Sequence, residues 1–292
     1  MTSTTLTQRG RAASAARNLV RVAKPGLLPG LLLLVLFFLY PLAEMIRISF
    51  ADPQLGLQNY SWFFSSEVNV AVTLRTFWTA FAVALICLLI AYPYAYVMST
   101  AGPRLRTILL AVVLTPLWTS LMVRTLAWIV LLQDSGIIND ALEALHVGRV
   151  PLIRTTTGVI IGMSQMLLPF MVLPLYSVMS KIDPKYLQAA AALGARPLTA
   201  FFKVYLPMTK AGVFAGSLTV FVLGLGFYII PALLGSPRNT MLSALIQQQV
   251  GGLLQWGRGS AMGVILLVST ILVLAICLRL TKGVRLGNVG GA

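Results

Sequence analysis

Hydrophobicity along this chain comes in long blocks, with polar joints rich in glycine and proline between them. The first block, GLLPGLLLLVLFFLYPLAEMI (26–46), has about the 20 residues that a helix needs to cross a bilayer. Five more follow, at Val70–Met98, Thr107–Leu132, Thr157–Met179, Ala211–Leu233 and Ser260–Leu280. Each predicts one membrane-crossing helix, and six crossings return the chain to the side it started from. No A-x-A-like cleavage site follows the first block, which predicts a retained helix and not a cleaved signal. Proline and glycine inside the blocks are tolerated where neighbouring helices re-satisfy the backbone. Gly212 and Gly216 form a GxxxG and, with Gly224 and Gly226, predict close helix packing inside the chain.

One stretch breaks the apolar pattern. Residues 181–210, KIDPKYLQAAAALGARPLTAFFKVYLPMTK, form a polar, basic island. Asp183 can cap a helix through its carboxylate, and Pro184 suits a first helical position because its missing N–H is not needed there. The alanine-rich run to Leu193 favours helix, and Gly194 supplies a left-handed stop. Pro197 can open a second short helix and Pro207 close it. The expectation is two short helices with a hard turn, a docking surface more than a linker.

Composition agrees with a membrane protein. Hydrophobic residues make up 58% and charged residues 10% of the 292, against roughly 45–50% and about 25% in soluble domains. The net charge of +15 raises the question of nucleic acid, but the basic residues sort by side. One side would hold Arg9, Arg11, Arg17, Arg21, Lys24, Arg104, Arg106, Lys181, Lys185, Arg196, Lys203, Lys210, Arg279, Lys282 and Arg285, with Asp183 as the sole acid. The other would hold Arg47, Arg75, Arg124, Arg149, Arg154, Arg238 and Arg258, with Glu44, Asp52, Glu67, Asp134, Asp140 and Glu143. The positive-inside rule then puts both termini and the 181–210 loop in the cytoplasm. The charge is a topology signal and argues against a nucleic-acid partner. Cys87 and Cys277 lie within apolar blocks and read as small buried hydrophobes.

The chain carries little catalytic chemistry. It has no GxxxxGK[ST], HExxH, CxxC or GxSxG, and its one histidine, His146, sits in a polar loop beside Asp140 and Glu143. No carboxylate falls in the middle of a predicted span, which disfavours an ion-coupled secondary transporter. No catalytic pair supports a membrane enzyme, and a plain scaffold leaves the polar island unexplained. Arg124, flanked by Trp118 and Trp128 in the Thr107–Leu132 block, is the most unusual intramembrane charge. It lines a wet path or snorkels, while the tryptophans are path or interfacial aromatics. Phe227 and Tyr228, just before Pro231, are further candidates for aromatic lining.

The island resembles the EAA loop of permease subunits from type I ABC importers. That pattern is Glu-Ala-Ala, three residues, Gly, nine residues, Ile, any residue, Leu-Pro. Here Gln188-Ala189-Ala190, Gly194, Val204 and Leu206-Pro207 stand at the same spacing, with Gln for Glu and Val for Ile. TPLWTSLMVRTLAWIVLL (115–132), LLPFMVLPLYSVM (167–179), GFYIIPALLGSP (226–237) and QWGRGSA (255–261) look like the corresponding stretches of spermidine/putrescine-type permeases. Tyr40-Pro41 and Ser49-Phe50 fit as well. Many polyamine-type members carry Gly-Glu-Phe or Gly-Glu-Tyr where this chain has Gly226-Phe227-Tyr228.

The resemblance implies an all-α integral membrane protein with the six-helix type I permease fold and a cytoplasmic coupling loop. It would divide into a cytoplasmic tail (1–24), a permease domain (25–285, coupling loop 181–210) and a C-terminal tail (286–292), in the inner membrane. The coupling residues would be Asp183, Gln188, Ala189, Ala190, Gly194, Ala195, Leu206 and Pro207. Its alanines (Ala189, Ala190 and Ala192) would present one small-residue face to the ATPase. The substrate path would use Trp118, Arg124, Trp128, Phe227 and Tyr228. Implied partners are a cytoplasmic ATPase dimer, which alone would bind ATP and Mg, a second permease (a paralogue), and a periplasmic binding protein. The chain would not be an enzyme and would bind no metal or cofactor itself. Polyamines are the implied cargo; an opine, an amino-acid derivative, a phosphonate or another organic anion is the alternative.

Overall fold

The computed structural model describes residues 29–281, and every regular element among them is helical. The tails expected at 1–24 and 286–292, with Lys282 and Arg285, lie outside the described residues. In chain order the helices are α1 (Pro29–Ala51), α2 (Gln58–Ser65), α3 (Glu67–Thr100), α4 (Pro103–Trp118), α5 (Leu121–Leu132) and α6 (Ile137–Ala144). Then come α7 (Thr156–Met179), α8 (Lys185–Ala192), α9 (Pro197–Met208), α10 (Lys210–Leu225), α11 (Ile229–Leu234), α12 (Leu242–Gln247) and α13 (Trp256–Thr281). Side-chain caps start two of the longest: Ser66 accepts from the Asn69 N–H (3.5 Å) at α3, and Thr155 from the Gly158 N–H (3.2 Å) at α7.

Five helical stretches among the described residues are long and apolar enough to cross a membrane: Pro29–Ala51, Glu67–Thr100, Leu121–Ala144, Thr156–Met179 and Trp256–Arg279. The pair α9–α10, bent by 60°, makes a sixth when taken as one span. Two of the predicted blocks are not single helices. Thr107–Leu132 breaks at Thr119–Ser120, so Trp118 ends α4 whereas Arg124 and Trp128 belong to α5. Pro116 disrupts the last turn of α4, and its carbonyl accepts from both the N–H (3.3 Å) and the hydroxyl (3.0 Å) of Thr119. Ala211–Leu233 breaks after Leu225, because Pro231 has no N–H to offer the Phe227 carbonyl. The Ser243 hydroxyl donates to that carbonyl instead, at 2.6 Å.

Two other prolines are absorbed by a shift in the helical ladder. Just before Pro41 and Pro207 the chain winds as π-helix, at Val35–Leu39 and Phe201–Tyr205. The Tyr40 N–H reaches back to the Val35 carbonyl and the Leu206 N–H to the Phe201 carbonyl. Pro207 therefore does not close its helix, as the sequence suggested. α9 runs one residue further, and Thr209 makes the bend into α10.

α3, α7 and α10 pack on one another as the central bundle and bury Val83, Cys87, Ala91, Met163, Met171, Leu175 and Val220. The small residues of α10 are the contact. A Cβ on Gly212 would meet the Pro174 carbonyl oxygen at 3.1 Å, and one on Gly216 the Met171 sulfur at 2.7 Å. Packing within the chain thus accounts for the GxxxG. α1 packs on α13, away from this bundle, and a smaller cluster of Phe63, Val72, Leu242 and Met262 joins the two groups near one end. Toward the other end an apolar cleft of about 310 Å³ lies between α3, α10 and α13, lined by Phe81, Leu85, Phe214, Val273 and Cys277 among others.

Candidate functional site: the coupling loop and the path beside it

The 181–210 island folds closely as its caps predict. Asp183 Oδ1 accepts from the Lys185 N–H at 2.9 Å, and Pro184 already has helical angles (φ −55°, ψ −22°). At the far end Gly194 takes φ +82°, and the Ala195 N–H bonds the Ala190 carbonyl (3.0 Å) while the Gly194 N–H bonds that of Ala191 (2.9 Å). This is a Schellman stop, which needs a left-handed residue. α8 shows two faces. Leu187 and Ala190 turn toward the protein, whereas Gln188, Ala189, Ala192 and Leu193, 88% accessible, face outward. The expected single alanine face is therefore split: Ala189 and Ala192 lie outward and Ala190 inward. Tyr186, Leu198 and Phe202 are also exposed, as are Lys181, Lys185, Arg196 and Lys203, so the loop shows apolar and basic side chains together.

An aromatic cluster ties this loop to the bundle. Phe201 and Tyr205 stack at 5.6 Å, and Tyr96 of α3 meets both rings edge-on at 5.9 and 5.3 Å. Tyr92 meets Phe201 edge-on at 6.2 Å, and the hydroxyls of Tyr92 and Thr209 are hydrogen-bonded at 3.1 Å. Ser99 and Tyr205 pair at 3.4 Å. Sequence reasoning missed this anchor. The signal was there: Tyr92/Tyr96 and Phe201/Tyr205 each stand four residues apart, on one helical face. The cluster also sets the last turns of α3, and Arg104 and Arg106 after them, at the same end of the molecule as the loop.

The opposite end is bound differently. Thr76 Oγ1 accepts from the Leu242 N–H (2.8 Å), and Asn239 Nδ2 donates to the Arg154 carbonyl (3.1 Å). Asp52 Oδ2 accepts from the Gly257 N–H (2.7 Å). Asp140 and Glu143, near His146 in sequence, are engaged by Arg149 at 3.4 and 2.8 Å. The hydrogen bond to Glu143 raises the Arg149 pKa above its ordinary value. Among the described residues, the charges sorted from the sequence thus lie toward two physical ends, with Arg124 between them.

The candidate path residues are only partly brought together. α5, which carries Arg124 and Trp128, packs against α7 and α11, and Phe227 and Tyr228 form the turn entering α11. Trp128 Nε1 donates to Gln165 Oε1 of α7 at 3.4 Å, a polar contact inside the membrane helices that Gln165 alone did not signal. Phe227 packs on the central core, and Tyr228 is partly exposed. Trp118 stands apart, 82% accessible at the end of α4. Arg124 is half-buried, with Nε and Nη1 covered and unpaired among the described residues.

Residues 92–286 match the family of binding-protein-dependent transport system inner membrane components. The chain belongs to that family, as a type I ABC importer permease. This permease is 33% identical to the spermidine/putrescine transport system permease protein PotB of Haemophilus influenzae, over 85% of this chain and 90% of the relative. It is 31% identical to PotB of Escherichia coli, over 80% and 86% respectively. A permease chain in the crystal structure of a bacterial alginate ABC transporter, in complex with an alginate pentasaccharide-bound periplasmic protein, superposes with a TM-score of 0.75. That chain shares 16% identity and covers 92% of this permease and 98% of its own length, a likeness of fold. The protein is a multi-pass component of the inner membrane, and its family is one of transport permeases.

Proposed function

We propose that this permease forms one half of a translocation path for polyamines such as spermidine and putrescine, driven by a separate cytoplasmic ATPase. The coupling loop carries the reading. It is a short helix capped at both ends, stopped by a left-handed glycine, apolar on its outer face and clamped to α3 by stacked aromatics. A soft loop would dissipate a displacement imposed from outside, whereas this one transmits it to the central bundle. The outward face of α8, with Gln188, Ala189 and Ala192, docks on the ATPase, and Leu206-Pro207 passes the motion into α10. ATP and Mg are held by the ATPase.

The loop and both termini lie on the cytoplasmic side, and a periplasmic binding protein delivers cargo at the other end. The PotB relatives support polyamines as cargo, with Trp128, Phe227 and Tyr228 supplying ring faces to the ammonium groups. Two measurements test this reading. Spermidine or putrescine raises the melting temperature of the cognate binding protein; an organic anion that does so while polyamines do not overturns the cargo. Gly194→Asp leaves the protein inserted and abolishes uptake, while uptake at wild-type level in that variant removes the coupling role.

A further inference from the structure

Arg124 needs a counter-charge that this chain does not contain. Its depth follows from its neighbour. Trp128 is hydrogen-bonded to Gln165, which lies nine residues into α7, about 14 Å from the Thr156 end at 1.5 Å per residue. Arg124 is one turn further along α5, about 20 Å from that end, near the middle of a hydrocarbon core of about 30 Å. The side chain is half-buried and accessible from the surface of the chain, next to the exposed apolar residues Val123, Leu126 and Val130.

All seven acidic residues of the chain are accounted for elsewhere. Glu44 pairs with Arg47, at 2.8 Å, in the second half of α1. Asp52 caps the start of α13, and Glu67 is the first residue of α3. Asp140 and Glu143 hold Arg149, Asp134 lies in the turn after α5, and Asp183 caps α8. None is near mid-membrane. A second copy of this chain would bring a second Arg124 and the same seven acids, with no carboxylate at that depth. Hydrocarbon cannot solvate an unpaired guanidinium, which in a membrane interior pairs or faces a polar cavity.

We propose that Arg124 pairs with a carboxylate carried at mid-membrane by a second, different permease subunit, and that this pair joins the two halves of the path. The inference rests on the importer reading and adds the partner's chemistry. It also accommodates a cationic cargo, because the second subunit's carboxylate neutralises the positive charge of Arg124.

The test purifies the whole transporter through a tag on this permease. The expected result is a co-purifying second permease, different in sequence, with an Asp or Glu near the centre of one of its spans. Arg124→Ala then lowers recovery of the second permease and uptake by about tenfold or more, as for one truncated partner of a buried charge pair. Arg124→Lys retains most of both. Arg124→Glu is restored by changing the partner's acid to Arg. A partner that is a copy of this chain, or one without an intramembrane acid, overturns the proposal. So does an Arg124→Ala complex that assembles normally and changes only which solutes it transports, since the guanidinium would then be reading cargo. Absence of any ATPase from the purified complex would count against the importer reading itself.

Discussion

Gly257 shows how one residue without a side chain fixes the start of a long helix. Its N–H is taken by Asp52 Oδ2 at 2.7 Å, and Asn59 Nδ2 donates to the Ser49 and Asp52 carbonyls at 3.0 and 2.7 Å. The end of α1, α2 and the first turn of α13 therefore meet at one point. A Cβ added at Gly257 would fall on the Asp52 carbonyl oxygen and within 2.8 Å of Asn59 Nδ2. These are backbone and hydrogen-bonded atoms, so the strain has no flexible side chain to absorb it. Gly257→Ala should cost about 1–3 kcal/mol, typical of overpacking, and lower the thermal unfolding midpoint of the detergent-solubilised protein. Gly252→Ala is the control, because only the Gln248 Cγ, at 3.8 Å, lies near that Cβ. Equal midpoints for the two variants would mean that the Asp52–Gly257 junction contributes little.

At the scale of elements, the coupling proposed for the 181–210 loop depends on its anchor as much as on its exposed face. Phe201→Ala removes the ring that stacks on Tyr205 and meets Tyr92 and Tyr96 edge-on. A loss of about 3–5 kcal/mol is usual for such a truncation in a full core; this half-exposed cluster should lose less and keep its fold. ATPase activity of the assembled transporter then persists while uptake per ATP falls, because the loop docks but no longer drags α3. A parallel fall in both rates would mean that Phe201 serves docking alone. Much of this element was legible in the sequence, since caps and stops are local: Asp183, Pro184 and Gly194 each act within a few residues. The breaks at Thr119–Ser120 and Gly226–Tyr228 were not, although Pro116 and Pro231 were in view. Whether a proline kinks or ends a membrane helix depends on what takes the freed carbonyl. For Phe227 that donor is Ser243, sixteen residues away. The division of the alanines between two faces of α8 likewise follows from tertiary contact, through Leu187 and Phe201.

For the whole molecule the issue is direction. The fold gives the protein two chemically different ends, one with the coupling loop, Arg104 and Arg106, the other with Asp52, Arg75, Arg149, Arg154 and Arg258. Among the described residues the basic excess lies at the first of these, with eight Lys and Arg and one acid, against six and six at the second once Arg124 is set aside. Retention of basic segments on the cytoplasmic side acts on short loops next to the spans, and both Pro103–Arg106 and 181–210 are of that kind. Lys185 and Arg149 report the two ends: each is exposed, and neither lies in the central bundle. In a variant with Cys87 and Cys277 changed to Ser, a membrane-impermeant maleimide should label Lys185→Cys only in inside-out vesicles and Arg149→Cys only in right-side-out spheroplasts. The reverse pattern would turn the molecule over and remove the loop from the reach of any cytoplasmic ATPase. Labelling of both positions from one side would mean an even number of crossings between them, so that α7 would not cross. Arg149 and Lys185 are separated by α7 alone, so this pair of sites tests directly whether α7 crosses the membrane once.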